Sequence, residues 1–281
     1  MTTPEQPSTV HLDSADLAYV ELGRGIPVVF VHGSLGDYRS WGVQIARFGE
    51  RHRALAYSRR FHWPNAEPEA GAVYSIAQHT ADLVALVEVL ELAPVHLVGS
   101  SYGALTALTA TVKRPDLIRS LVLGEPPLLP WLTRLPEGAP LREAFITTAM
   151  GPAGKAFARG DVEAGIHLFL DGVLGAGAFD HLPPEARMSM FDNAPAMRAE
   201  TSTSPETYFP DLSAENVGRL HAPTLLLQGE LSPPMFGIVT DELARALPRA
   251  ERATIASASH VMHARNPADY NQVVLKFLAD H

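Results

Sequence analysis

Five short, almost unbroken apolar runs, each ending in glycine or serine, most constrain how this chain can fold: IPVVFVHG (26–33), RALAYS (53–58), PVHLVG (94–99), IRSLVLG (118–124) and PTLLLQG (223–229). A half-exposed strand alternates polar and apolar residues, whereas a strand covered on both faces has no need to. The runs therefore read as interior strands of a largely parallel sheet. Between two of them, SIAQHTADLVALVEVLEL places Ile76, Leu83, Leu86, Val87 and Leu90 on one helical face and opens with Ser75 and Gln78 at the spacing of a capping box. Strands alternating with such helices define an α/β fold, a mostly parallel central sheet with helices on both faces.

The alternation stops after Gly124. From Pro126 to Ala222 no strand pattern occurs, and Pro and Gly divide short helical runs such as LREAFITTAM and DVEAGIHLFL. This stretch reads as a helical lid, with residues 126–222 inserted into a core domain made of residues 1–125 and 223–281. After PTLLLQG resumes the sheet, DELARAL reads as a helix, ERATIA as a last strand and PADYNQVVLKFLAD as the closing helix.

The run ending at Gly99 continues as Gly99-Ser100-Ser101-Tyr102-Gly103, a G-x-S-x-G between a strand and a helix-like stretch, TALTATVK. A tight strand-to-helix turn leaves no room for side chains two positions either side of its apex, so the glycines mark Ser101 as the apex. At the sheet's C-terminal edge and the positive end of a helix, a serine there is a candidate nucleophile, because developing negative charge is favoured. Ser100 reads as packing or bonding locally. A nucleophilic serine needs a base, and among the 12 histidines His260 stands out. It follows the last strand by the short loop SAS, and Pro267 opens the final helix seven residues later. His263, three residues on, is a weaker base candidate placed to line a pocket.

Net charge and cysteine content narrow the partners. With 22 Lys plus Arg against 31 Asp plus Glu, the formal net charge of −9 opposes nucleic acid and anionic membrane and favours a small-molecule substrate. The absence of cysteine removes disulfides, thiolate metal sites and a cysteine nucleophile. No metal and no cofactor are expected. The amino terminus, MTTPEQPSTV, has no basic stretch followed by an apolar one, so a cytoplasmic location is expected. Oligomeric state stays open, with a homodimer as one option.

The elbow pentapeptide, the His-Gly turn at His32-Gly33-Ser34 and the His260-to-Pro267 spacing together resemble the α/β-hydrolase superfamily, across roughly the whole chain. The resemblance implies a serine-nucleophile branch in which Ser101 attacks, His260 is the base and the backbone amides of Ser34 and Tyr102 form the oxyanion hole. His32 then reads as structural. The usual acid of the triad follows the strand after the lid, in a G-x-x-D context, but this chain has Gly229-Glu230-Leu231-Ser232-Pro233 there, with Ser232 at the acid position. Serine cannot supply the negative charge that fixes and stabilises the imidazole. Two carboxylates are alternatives: Glu125, after the strand preceding the lid, and Glu230. Some branches of the superfamily, zearalenone-type lactonases and certain dehalogenases among them, carry a glutamate at the first position, and Glu125 is favoured.

A serine with a histidine base forms and hydrolyses an acyl-enzyme, so an ester, a lactone or the C–C bond of a vinylogous diketone is eligible. The many aromatic and methionine side chains of the lid and loops suggest a dry pocket for a small, largely apolar substrate. Leu35, Trp131, Met235 and Val261 are its candidate lining. Arg59 and Arg60 offer a carboxylate site, although structural salt bridges are favoured. The alternatives are a non-hydrolytic enzyme of the same fold (lyase, cyclase or cofactor-free oxygenase) and a ligand-binding receptor with a vestigial triad.

Overall fold

In the computed structural model, which describes residues 6–69, 71–209 and 212–281, the five apolar runs lie side by side in one sheet. Its eight strands are β1 (Ser8–Leu12), β2 (Ala15–Leu22), β3 (Pro27–Val31), β4 (Arg53–Tyr57), β5 (Val95–Ser100), β6 (Ile118–Gly124), β7 (Thr224–Gly229) and β8 (Ala250–Ile255). The spatial order is β1-β2-β4-β3-β5-β6-β7-β8. From β4 to β8 every pairing is parallel, while β1 and β2 add an antiparallel hairpin at one edge. That hairpin is a correction to the sequence reading. Its residues alternate, as the exposed, exposed, buried, exposed, half-buried pattern of β1 shows, so a search for unbroken apolar runs passes over it.

Both faces of the sheet are covered, which is why the central strands can be apolar throughout. One face packs on the helices Ile76–Val89 and Tyr102–Lys113 and the other on Gly42–Phe48 and Pro267–Ala279. Ser75 caps the first of these by accepting from the Gln78 N–H at 3.2 Å. The reciprocal half of the expected capping box is missing, since Gln78 Oε1 is buried without a partner.

Between β6 and β7 the described residues contain helices and turns and no strand. Residues 210 and 211 of the expected lid lie outside the described residues. One long helical run there, Gly138–Phe145 followed by Gly151–Ala158, is interrupted by a π-helical turn at Ile146–Met150. Such turns disturb the regular ladder and often accompany functional sites. No described helix is long and apolar enough to cross a membrane.

Parallel register brings the chemistry-bearing residues together. Val31 pairs with Gly99, and Ser100 with Gly124. The next residues, His32-Gly33, Ser101 and Glu125, therefore leave three adjacent strands at the same level of the C-terminal edge.

Candidate active site

Ser101 sits at φ 53°, ψ −121°, a left-handed conformation costly for any residue with a Cβ. The neighbouring packing enforces it. A Cβ on Gly99 would lie 2.6 Å from Ala104 Cα, and one on Gly103 would lie 2.1 Å from the carbonyl oxygen of Val31, so neither position admits a side chain. The Ser101 N–H donates to Gly124 O at 2.7 Å, tying the apex to β6. Although Ser101 caps the helix Tyr102–Lys113 by position, its hydroxyl makes no cap bond. Ser101 lines a cavity at this edge of the sheet; buried Ser100 lines no part of it.

Glu125 and His260 meet directly. Glu125 is fully buried, its Oε1 accepts the Gly229 N–H at 2.9 Å, and its Oε2 accepts from His260 Nδ1 at 2.6 Å. Carboxylate on Nδ1 leaves Nε2 as the ring's acceptor. The imidazole is 3% exposed and stacks on Phe236, with centroids 4.1 Å apart and planes 19° apart. Glu230 is turned elsewhere, its Oε2 accepting from the Ser257 N–H at 2.7 Å on the surface. Ser232 Oγ is buried without a partner. No hydrogen bond joins Ser101 to His260 among the described residues. Such bonds are commonly long until a substrate is seated.

Under the site lies a fully buried guanidinium. Arg59 donates through Nε to His32 O at 3.1 Å, through Nη2 to Gly33 O at 3.1 Å and through Nη1 to the Tyr74 hydroxyl at 2.9 Å, and it lies 4.3 Å from the Tyr102 ring centroid. His32 Nδ1 also donates to Gly33 O, at 2.8 Å, while its Nε2 accepts the Arg59 N–H. A trans peptide carries its C=O and N–H on opposite edges. Pinning the Gly33 carbonyl from the Arg59 side thus turns the Ser34 N–H away from Arg59. A Cβ on Gly33 would lie 3.2 Å from Ser101 Cβ, so this loop packs against the turn at Ser101. Among the described residues Arg59 has no salt-bridge partner, and it does not line the cavity that holds Ser101, whereas Arg60 pairs with Asp82 at 2.5 Å. His32 is structural.

The cavity above Ser101 has a volume of about 280 Å³. Its walls are mainly Phe145, Ile146, Met150, Phe169, Val173, Tyr208 and Phe209, all between β6 and β7, with Met235 and Phe236 from the helix after β7. Of the four expected lining residues only Met235 is there. Leu35 is packed into the core, Trp131 donates its indole N–H to Leu212 O at 2.8 Å, and Val261 begins the turn after His260. The wall comes from the π-helical turn and the later lid helices, and neither leaves a motif. Two polar lid residues, Arg142 and Glu200, also line it and were missed. Glu200 follows the buried Ala196 and Met197 at helical spacing. A charge on that apolar stripe was the one signal available.

His263 does not line the cavity either. Its ring stacks on Trp41 at 4.2 Å in the opposite core. Burial, and then the charge of His260, pushes its pKa down to about 4. An unfolded histidine titrates near 6.5. Neutral His263 therefore contributes fully above about pH 6.5, and the contribution is lost as the pH falls toward 4. From pH 7 to 5 this linkage amounts to about 2 kcal/mol. Substituting His263→Phe keeps a stacking ring without the proton site, so its urea-unfolding stability should fall by about 2 kcal/mol less than the parent's between those two pH values. Equal losses would remove His263 from the account.

Among the described residues no group of three His, Asp or Glu side chains is placed to hold a metal ion. The signature of the Alpha/beta hydrolase family matches residues 28–273. BpoC of Mycobacterium tuberculosis is 27% identical, the match covering 94% of this chain and 98% of BpoC. Bromoperoxidase from Bacillus anthracis superposes with a TM-score of 0.78 at 22% identity, over 98% of this chain and all of that one. Est816, an N-acyl homoserine lactone degrading enzyme, gives 0.76 at 22% identity, over 96% and 100%. With the eight-stranded sheet, the elbow at its C-terminal edge and a family signature spanning most of the sequence, the chain belongs to the alpha/beta hydrolase family.

Proposed function

We propose that the protein is a serine hydrolase that opens an ester or lactone of a small, largely apolar substrate through an acyl-enzyme, with residues 126–222 as its lid. The observation that carries this reading is the 2.6 Å contact between buried Glu125 and His260, on the same sheet edge as a strained serine that faces the cavity. His260 Nε2 takes the Ser101 proton as Oγ attacks the carbonyl carbon. The amides of Ser34 and Tyr102 receive the oxyanion, a single such donor being worth roughly 3 to 4 kcal/mol. Collapse expels the alcohol, protonated by His260, and the same histidine then activates water to release the acid. Est816 acts on a lactone, in keeping with this chemistry.

The test is acylation of Ser101. On mixing with p-nitrophenyl esters of graded chain length, the expected result is a stoichiometric burst of p-nitrophenol followed by turnover, with a fluorophosphonate adduct mapping to Ser101 by mass spectrometry. A cavity of about 280 Å³ favours short and medium acyl chains. Absence of both burst and adduct would overturn the reading.

A further inference from the structure

Arginines drawn out of solvent are seldom left without acceptors, and this protein has one that is. Arg39, Arg53, Arg59, Arg60, Arg114 and Arg187 are each buried or half-buried, and each donates side-chain hydrogen bonds. Arg142 is half-buried as well, yet among the described residues its guanidinium makes no hydrogen bond and no salt bridge. Nε is enclosed without a partner, whereas Nη1 and Nη2 are not enclosed, so the end of the fork is the part open to a ligand. A cation partly removed from water with no acceptor is costly, and such a fork calls for an explanation.

The helical run sets its direction. Along residues 141–150 the exposed positions are Glu143, Ala144, Thr147 and Thr148, while Arg142, Phe145, Ile146 and Met150 line the cavity that holds Ser101. Spacings of three and four residues put the guanidinium on the same inward face as the apolar wall. Glu200 is the one carboxylate among the described residues of that wall. Its Oε1 is occupied by the Ser34 and Tyr208 hydroxyls, and no salt bridge joins it to Arg142. The charge of Arg142 is therefore not neutralised by the cavity's own wall.

We propose that Arg142 binds a carboxylate carried by the substrate, gripping it end-on through Nη1 and Nη2. The planar fork matches the two oxygens of a carboxylate, and an apolar surround strengthens the pair. Charge balance selects a monoanion. A single guanidinium lines the cavity and the Glu200 carboxyl shares the wall, so a phosphate dianion would exceed the positive charge on offer. The inference rests on the serine-hydrolase reading and narrows its substrate class to an apolar ester or lactone bearing one free carboxylate.

The experiment pairs each carboxylate with a neutral match. The p-nitrophenyl hemiesters of hexanedioic and octanedioic acid are compared with p-nitrophenyl hexanoate and octanoate, which carry a methyl group in place of the carboxylate. A third pair, 4-acetoxybenzoate and phenyl acetate, puts the carboxylate on the leaving group. Intrinsic reactivities cancel when the carboxylate-to-neutral ratio of kcat/KM is compared between parent and variant. In at least one pair the ratio should fall about tenfold or more in Arg142→Gln and recover in part in Arg142→Lys. It should stay within about twofold of the parent in Arg134→Gln, which removes the same net charge at an exposed position outside the cavity. Glutamine keeps the helix propensity and Arg142 holds no side-chain bond in the fold, so the melting temperature should not move. Ratios that Arg142→Gln leaves unchanged in every pair, or alters no more than Arg134→Gln does, overturn the proposal. Should the parent show neither burst nor adduct at Ser101, the hydrolase reading fails, and the subsite is read by calorimetry instead. Monomethyl hexanedioate should then bind the parent about tenfold more tightly than Arg142→Gln, and equal affinities overturn the proposal.

Discussion

Replacing Ser101 by alanine is expected to lower turnover of an activated ester by a factor of about 10³ or more, with melting temperature and circular dichroism essentially unchanged. Alanine keeps the Cβ that the elbow already tolerates at φ 53°, and the Ser101 hydroxyl carries no structural bond. What remains is the catalysis of the oxyanion donors and binding alone. Ser100→Ala is the control. It lies beside the apex in β5, lines no part of the cavity, and should change the rate by less than about tenfold, or roughly 1.4 kcal/mol. A dead Ser100→Ala and an active Ser101→Ala would place the apex one residue earlier.

The second large effect is expected at Glu125. In Glu125→Gln the amide retains one oxygen for two donors, the Gly229 N–H and His260 Nδ1–H. Whichever it serves, the NH2 confronts the other. If it confronts the imidazole, Nδ1 must become the acceptor and Nε2 the protonated nitrogen, which is the wrong tautomer for a base facing Ser101. Loss of a triad acid by this route costs about 10⁴ in kcat. Glu230→Gln should stay within about tenfold, since that carboxylate holds only a surface turn through the Ser257 N–H. In the Glu125→Gln background, Ser232→Asp should recover part of the rate, because Ser232 closes a turn on Gly229 through its N–H, beside the Glu125 carboxylate. The comparison is kcat for all four proteins on one activated ester. A crippled Glu230→Gln beside a nearly normal Glu125→Gln would reverse the assignment.

What was legible in the sequence follows from which constraints are local. Apolar runs, the glycines flanking Ser101 and the distance from His260 to Pro267 are each imposed by backbone sterics within a few residues, so the pattern carries them. That Glu125 lies against His260 could be anticipated because its position at the end of a buried strand is fixed by register with β5. The β1–β2 hairpin was lost because a half-exposed edge strand has no unbroken apolar run. The cavity wall was lost for a different reason. Trp131 and Phe145 are equally apolar, and only the path of residues 126–222 decides that one bonds to Leu212 while the other lines the cavity. Glu200 and Ser34 are 166 residues apart, and no local rule foretells their bond.

Because Glu125 precedes the helical segment and His260 follows it, the residues proposed for chemistry and most of those that line the cavity sit on separable stretches of chain. Glu125, which opens the insertion, is anchored by the Gly229 N–H at the C-terminal end of β7, so one hydrogen bond across adjacent parallel strands holds the carboxylate to the sheet whatever residues lie between. Residues between them can be exchanged as a cassette, as a socket accepts different bits, with the reacting atoms left in register. A graft of this kind has one requirement. The donated segment must present an acceptor to the Ser34 hydroxyl where Glu200 now does, or the bond that joins segment and core at the cavity is lost.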